Sequence, residues 1–350
     1  MIRIAEKLPE NTAALVYSPV NRKYLTGFQS SLGFLLISKN DSCLYVDGRY
    51  ILAAKEKAEN CRVELFSKPN ESIKGFVEKN NIKVVWCEDT LTVLQLKNFQ
   101  KMLDDVEVTA DCDLRQDIEI LRQIKTQYEI DCIVKAQRIA EKAFLDVLNF
   151  IKVGVSEREI AARLEYKCKC YGSEMPSFDT IAVSGCKSAM PHGVPDGKAI
   201  ESGDFVTMDF GAVYEGYHSD MTRTVAVGYA TDKMQSVYDT VLNAQLSAEK
   251  KVKAGVRCND VDDAARNVIA SSGYGMYFTH STGHSVGLEI HESPSLSPNC
   301  FEYLKCGQIV TDEPGIYIDG EFGVRIEDML LVTEKGCENL TKCEKSLIII

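Results

Sequence analysis

The stretch VTMDFGAVYEGYHSDMTRT, residues 206–224, has a near-match further along the chain, and the match decides the fold. GDFVTMDFG (203–211) and GQIVTDEPG (307–315) share both terminal glycines, the Val-Thr pair and an acid in the same place, Asp209 in one and Glu313 in the other. Upstream, KVGV (152–155) answers to KAGV (253–256), and the AAR at 161–163 answers to the AAR at 264–266. A helical pattern precedes each match, one opening near Thr126 and one near Asp232. Self-similarity at long spacing marks a duplicated supersecondary unit. The second part of the chain therefore reads as two copies of helix, helix and β-hairpin about a pseudo-two-fold axis, each hairpin bearing two acids.

Those acids define the chemistry. Asp209 and Asp220 flank Tyr214-Glu215, with Gly216 adjoining. A hairpin tip centred there sets the two aspartates directly opposite each other on one face. Glu313 and Glu327 bracket the turn signal Asp319-Gly320 and play the same part in the second copy. Met208, Phe210, Pro314 and Ile326 surround these acids, which suits buried carboxylates better than solvated ones. Four such charges at one point would repel and lose their hydration. Two divalent cations balance them. His284, between Gly283 and Gly287 where backbone can approach closely, supplies a fifth ligand. Hard oxygens with one imidazole favour Mn²⁺, with Co²⁺ or Zn²⁺ as alternatives. Two such ions side by side bind a bridging water, lower its pKa and polarise a scissile carbonyl. A carboxylate ligand can take and return the proton. His192, His280 and His291 are the candidates to donate hydrogen bonds to a carbonyl and to the developing oxyanion.

The rest of the chain frames this centre. At 350 residues it suits two domains. Residues 1–122 alternate strand patterns (AALVYS, GFLLIS, CLYVD, RVELFS, IKVVWCE) with helical ones, an α/β domain with a mixed sheet that holds none of the histidines. Residues 123–350 open on two capping boxes, Thr126 with Glu129 and Ser156 with Glu159. The net charge of −11 argues against nucleic acid or anionic membrane as a partner. MIRIAEKLPE has no apolar signal region, and no apolar run is long enough to span a bilayer. Thirteen scattered cysteines without a C-x-x-C read as reduced thiols, so a cytoplasmic location is expected.

Taken together, the segments resemble the pita-bread metallopeptidases over nearly the whole chain, most closely the aminopeptidase P and prolidase branch. SGCKSAMPHGVP (184–195) resembles the segment that brings a substrate-binding histidine, here His192. DFGAVYEGYHSDMTRT resembles the segment with the first two metal aspartates, Asp209 and Asp220. HSTGHSVGLEIHE (280–292) resembles the stretch whose histidines act at the oxyanion (His280), the metal (His284) and the substrate carbonyl or proline (His291). EPGIY and GVRIED match the remaining ligands, Glu313 and Glu327, with Arg325 fixing a metal carboxylate and Glu313 shuttling the proton. Phe178 joins the three histidines in the expected substrate-binding set.

YLTGF (24–28) and DGRY (47–50) look like the family's ribonuclease-H-like N-terminal domain, which argues against methionine aminopeptidase and implies a homodimer. The resemblance implies an Xaa-Pro aminopeptidase acting on small peptides with proline in second place. The alternative is an Xaa-Pro dipeptidase (prolidase), which must also hold a free carboxylate. A non-catalytic peptide-binding module or a metal-free pita-bread enzyme is the remote reading, and the complete ligand set argues against both. Two positions depart from the family pattern: Ser285 stands where glycine commonly follows the metal histidine, and Asp312 where an apolar residue is usual. On a strand, Asp312 points away from Glu313.

Overall fold

A computed structural model describes all 350 residues, which divide into two compact units, Met1–Arg122 and Gln123–Ile350. In the first, strands β1 (Thr12–Val16), β2 (Gly33–Ile37), β3 (Ser42–Val46), β4 (Arg62–Leu65), β5 (Val84–Cys87) and β6 (Glu107–Thr109) form one sheet in the order β4-β3-β2-β1-β5-β6. β1, β2 and β3 pair antiparallel, whereas β4, β5 and β6 join in parallel, so the sheet is mixed. Its central strands are apolar at nearly every position because both faces are covered. Ala13, Leu15, Phe34 and Leu36 enter one core, while Ala14, Val16, Leu35 and Ile37 enter the other.

Helices α1 (Ile2–Lys7), α2 (Pro19–Thr26), α3 (Ile51–Lys57), α4 (Pro69–Lys79), α5 (Val93–Met102) and α6 (Leu114–Gln123) supply the covering. α2 has no apolar period to announce it. It starts on the Ser18 cap with Pro19 in the first turn and stops at Gly27, whose φ is 70°. Its buried face carries Asn21 and Arg22, held by Glu88, which accepts from Asn21 Nδ2 at 2.6 Å, and by the Ser30 carbonyl, which accepts from Arg22 Nη2 at 2.8 Å.

In the second unit the order helix, helix, strand, hairpin occurs twice. The first copy holds α7 (Gln127–Leu148), α8 (Glu157–Cys170), β7 (Ile181–Ser184), β8 (Phe205–Phe210), β9 (Val213–Tyr214), β10 (Tyr217–His218) and β11 (Met221–Ala226). The second holds α9 (Asp232–Lys251), α10 (Cys258–Ser271), β12 (Gly283–Ser285), an added strand β13 (Glu292–Leu296), β14 (Ile309–Asp312), β15 (Gly315–Ile318), β16 (Phe322–Arg325) and β17 (Asp328–Val332), followed by β18 (Cys337–Asn339). Both anticipated capping boxes are present, at the starts of α7 and α8. Ile133, Ala136, Ala140, Ala143 and Val147 line the buried face of α7. Each copy packs a core, and Phe205 and Ala226 of the first copy enter that of the second.

The two hairpins differ in register. In the second, Thr311 pairs Met329, Asp312 pairs Asp328 and Gly315 pairs Arg325, so the same register sets Glu313 opposite Glu327. In the first, Asp209 pairs Thr222 and Tyr214 pairs Tyr217, so Asp220 is not opposite Asp209 as expected. The cause is the turn. Its central residues are Glu215 and Gly216, both with positive φ, the two-residue geometry that matches strand twist and favours glycine second. Moving a turn by one residue moves the cross-strand partner by two. Parity is kept, so Asp209 and Asp220 still share a face, as a diagonal pair.

Candidate metal centre

The copies meet where β11 runs beside residues 325–327. Glu327 N donates to the Thr222 carbonyl at 3.2 Å, and Thr224 Oγ1 donates to the Arg325 carbonyl at 3.0 Å. This junction brings together all five expected ligands. Asp209, Asp220 and Glu327 are buried, and Glu313 and His284 are partly so. His284 Nε2 stands 3.5 Å from Asp220 Oδ2 and 3.4 Å from Glu313 Oε1. Ligand atoms of Asp220, His284 and Glu327 lie within 4.8 Å of one another. Gly283 permits this: a Cβ there would stand 2.0 Å from the Thr311 carbonyl oxygen of β14.

Three of the carboxylate oxygens at this junction, Asp209 Oδ1, Asp220 Oδ1 and Glu327 Oε1, are buried and lack any hydrogen-bond partner within the protein. Buried carboxylate oxygens are ordinarily satisfied, and acids gathered this way repel. Burial, then Asp209 and Glu313, push the Asp220 carboxyl well up. Burial, then Asp220 and Glu313, do the same to Glu327. Burial pushes Glu313 up to about 8, against the pull of Arg325. The His284 imidazole is pushed down to about 4, mainly by burial, so it is neutral. The Ser285 carbonyl, 3.1 Å from Nδ1, fixes the proton there and leaves the Nε2 lone pair facing the acids. A neutral imidazole lone pair aimed at two carboxylates has no proton to offer them. The donor set fits divalent cations.

Asp209, Glu327 and Glu313 are held from behind. Arg325 Nη2 donates to Asp209 Oδ2 at 2.6 Å, and the guanidinium also donates to Tyr317 Oη at 2.8 Å and Thr222 Oγ1 at 3.1 Å. Thr222 Oγ1 donates to Glu327 Oε2 at 2.8 Å, and Thr311 Oγ1 donates to Glu313 Oε1 at 3.3 Å. Thr222 and Tyr317 were not legible as site residues. Both appear once the register is known, since Thr222 faces Asp209 and Tyr317 lies two residues from Gly315, the partner of Arg325.

A cavity of about 720 Å³ opens over the acids, lined by Phe178, His192, Val194, His280, His284, Ile290, His291 and Arg325 among others. All the expected substrate-binding residues border it. His192 and His291 are exposed, and the His291 ring lies 4.4 Å from that of His284. His280 is engaged otherwise than expected. Its Nδ1 lies 2.8 Å from the Ser281 carbonyl and its Nε2 2.8 Å from Tyr317 Oη, while burial pushes its pKa down to about 4. A neutral ring donating through Nδ1 accepts the tyrosine proton at Nε2, so it has no N–H left for an oxyanion.

The two departures also find places. Ser285 is buried and donates to the Pro294 carbonyl at 3.1 Å. Asp312 faces Asp328 across the hairpin, away from Glu313, and neither of its buried oxygens has a partner.

Comparison with known proteins agrees in extent. The family Metallopeptidase family M24 matches residues 131–334, and the Creatinase/Prolidase N-terminal domain matches residues 10–124. The chain is 41% identical to an Xaa-Pro dipeptidase of Pyrococcus horikoshii over 349 residues, covering 99% of this chain and 97% of that one. Among solved structures, an Xaa-Pro dipeptidase from Bacillus anthracis superposes with a TM-score of 0.93 at 42% identity, covering 97% and 95% of the two chains. An X-Pro aminopeptidase from Thermotoga maritima gives 0.93 at 36% identity, covering 99% of each.

Proposed function

Because the chain belongs to metallopeptidase family M24, with a creatinase/prolidase N-terminal domain ahead of a pita-bread catalytic domain, we propose that it is an Xaa-Pro dipeptidase. It hydrolyses the bond between a first residue and a following proline. The observation that carries the reading is the convergence of Asp209, Asp220, His284, Glu313 and Glu327 beneath a cavity, in a chain 41% identical to an Xaa-Pro dipeptidase along nearly its whole length. This reverses the order expected from the motifs, which placed the aminopeptidase first.

In this reading the five residues hold two divalent cations, Mn²⁺ by the balance of hard oxygens and one imidazole. Bound there, such ions lower the pKa of water and polarise a carbonyl. Glu313, held high by burial, takes and returns a proton at its carboxylate. Arg325 fixes Asp209, and His192 and His291, exposed in the cavity, offer N–H groups to the substrate. Phe178, Val194 and Ile290 give proline an apolar wall that asks for no amide N–H. Thirteen cysteines, none in a disulfide, support a cytoplasmic location, and a homodimer is part of the same reading.

One observation favours the Xaa-Pro aminopeptidase as a second reading. A free dipeptide brings a carboxylate, yet the one guanidinium lining the cavity belongs to Arg325, which is 3% exposed and already shared among Asp209, Tyr317 and Thr222. Hydrolysis of an Xaa-Pro dipeptide beside an Xaa-Pro-Yaa tripeptide by Mn²⁺-loaded protein decides between them, with Glu313→Ala in parallel. Cleavage of the dipeptide supports the proposal, cleavage of the tripeptide alone replaces it with the aminopeptidase, and cleavage of neither overturns both.

A further inference from the structure

Two buried carboxylates outside the metal centre hold the histidine-bearing segments, and they do so alike in the two copies. Glu157, in the first turn of α8, is 0% exposed. Its Oε1 accepts from Ser184 N at 2.7 Å and Ser184 Oγ at 2.9 Å. Its Oε2 accepts from Lys187 Nζ at 2.8 Å and Asp196 N at 3.3 Å. Ser184 and Asp196 are the two ends of the segment that carries His192, so one carboxylate clamps both. Lys187 adds a pair to Asp196 at 2.7 Å.

In the second copy Asp262, on α10, is likewise 0% exposed. Its Oδ1 accepts from Thr282 N at 3.0 Å and Thr282 Oγ1 at 2.9 Å. Arg266 grips the same carboxylate through Nε at 2.8 Å and Nη2 at 3.0 Å, and passes on to the carbonyls of Phe278 (3.1 Å) and His280 (2.9 Å). Thr282 lies midway between His280 and His284.

The parallel is chemical: a carboxylate on the second helix, a hydroxyl residue giving it both N–H and O–H, and a basic side chain completing the clamp. Stability alone does not call for it, since well-packed apolar residues of similar volume serve as well as a buried ion pair or better. What such a clamp adds is direction. A histidine displaced by about 1 Å can cost roughly 100-fold in rate.

We propose that Glu157 and Asp262 are matched positioning residues, Glu157 setting His192 at the substrate and Asp262 setting the His280–His284 segment at the metals. The proposal rests on the roles given above to His192 and His284. Near-isosteric Glu157→Gln and Asp262→Asn separate the two arms. Glu157→Gln should lower kcat/KM roughly 10–100-fold, by the misplacement argument, and leave calorimetric Mn²⁺ affinity unchanged. Asp262→Asn should weaken Mn²⁺ binding roughly 10-fold, the lower end of the cost of losing a direct partner of a ligand, because Asp262 reaches His284 only through Thr282. In a His192→Ala background Glu157→Gln should cost nothing further; an undiminished loss there overturns the Glu157 assignment. Unchanged Mn²⁺ affinity in Asp262→Asn overturns the other. Should either variant fail to fold, Ser184→Ala and Thr282→Val remove one O–H each and are read by the same criteria. The metal titration needs no substrate, so it decides the Asp262 arm even if no Xaa-Pro peptide is cleaved.

Discussion

Thr222 Oγ1 donates to Glu327 Oε2 at 2.8 Å, so the residue that faces Asp209 in one hairpin steadies a carboxylate of the other. Thr222→Val keeps the shape and removes the O–H. Mn²⁺ affinity should fall roughly 10–100-fold, as for other lost partners of metal carboxylates. Calorimetric titration checks this, and unchanged affinity would show that Glu327 needs no support from the first copy.

Arg325 holds Asp209, Tyr317 and Thr222 at once. Lysine keeps the charge but cannot present a planar fork to several acceptors. Arg325→Lys should therefore lose activity roughly 10–100-fold. Full activity would mean that charge alone suffices. Kinetics at saturating Mn²⁺ separates the loss from poorer metal loading.

Metal removal should make stability depend on pH. The unfolded chain gives up the Glu313 proton near the ordinary value of 4.5, whereas the folded metal-free protein keeps it to about 8. Between those values the folded state holds the extra proton, so its stability falls as pH rises. Asp220 and Glu327, pushed up by burial and one another, act in the same direction. Below the ordinary histidine value of 6.5, His280 and His284, both pushed down to about 4, act in the opposite direction, so the test belongs above it. Thermal melts of the chelated protein from pH 6.5 to pH 8 should show a falling Tm, and Mn²⁺ should flatten the slope while releasing protons on binding. A Tm that rises with pH in the chelated protein would contradict the arrangement.

Asp312 offers a test without metal. Fully buried with two unpartnered oxygens, its carboxyl is pushed well up by burial, then by Asp328 and Glu249. Asp312→Val removes an unsatisfied polar group from a β-strand and should stabilise the protein by about 1–3 kcal/mol. The gain should grow with pH above the ordinary carboxylate range, because there the unfolded chain gives up the Asp312 proton while the folded protein keeps it, which lowers the stability of the parent and not of the variant. Denaturant unfolding at two pH values measures it; a loss of stability would mean that Asp312 has a partner in solution.

The sequence carried the parts of the fold that depend on periodicity and caps. The doubly buried strands, the α7 stripe and the Thr126 and Ser156 boxes are local statements of local structure. The ligand acids were legible because the repeat kept an acid at Asp209 and Glu313 among apolar neighbours. What escaped is set elsewhere. Tyr214-Glu215 and Glu215-Gly216 are both plausible tips by composition, and only strand twist selects the second, so Thr222 stayed hidden. Helix α2 buries Asn21 and Arg22 because Glu88, far along the chain, accepts from Asn21. The engagement of His280 was hidden for a similar reason: Tyr317, from another strand, bonds its Nε2.

The link from Thr222 to Glu327 spans 105 residues of chain, and that from Asp209 to Arg325 spans 116. Closing loops of that length costs entropy before any contact repays it, so such contacts form late. Either hairpin alone offers a cation at most two carboxylates. In the proposed reading, therefore, cations bind after the two copies have docked, and their binding reports that docking.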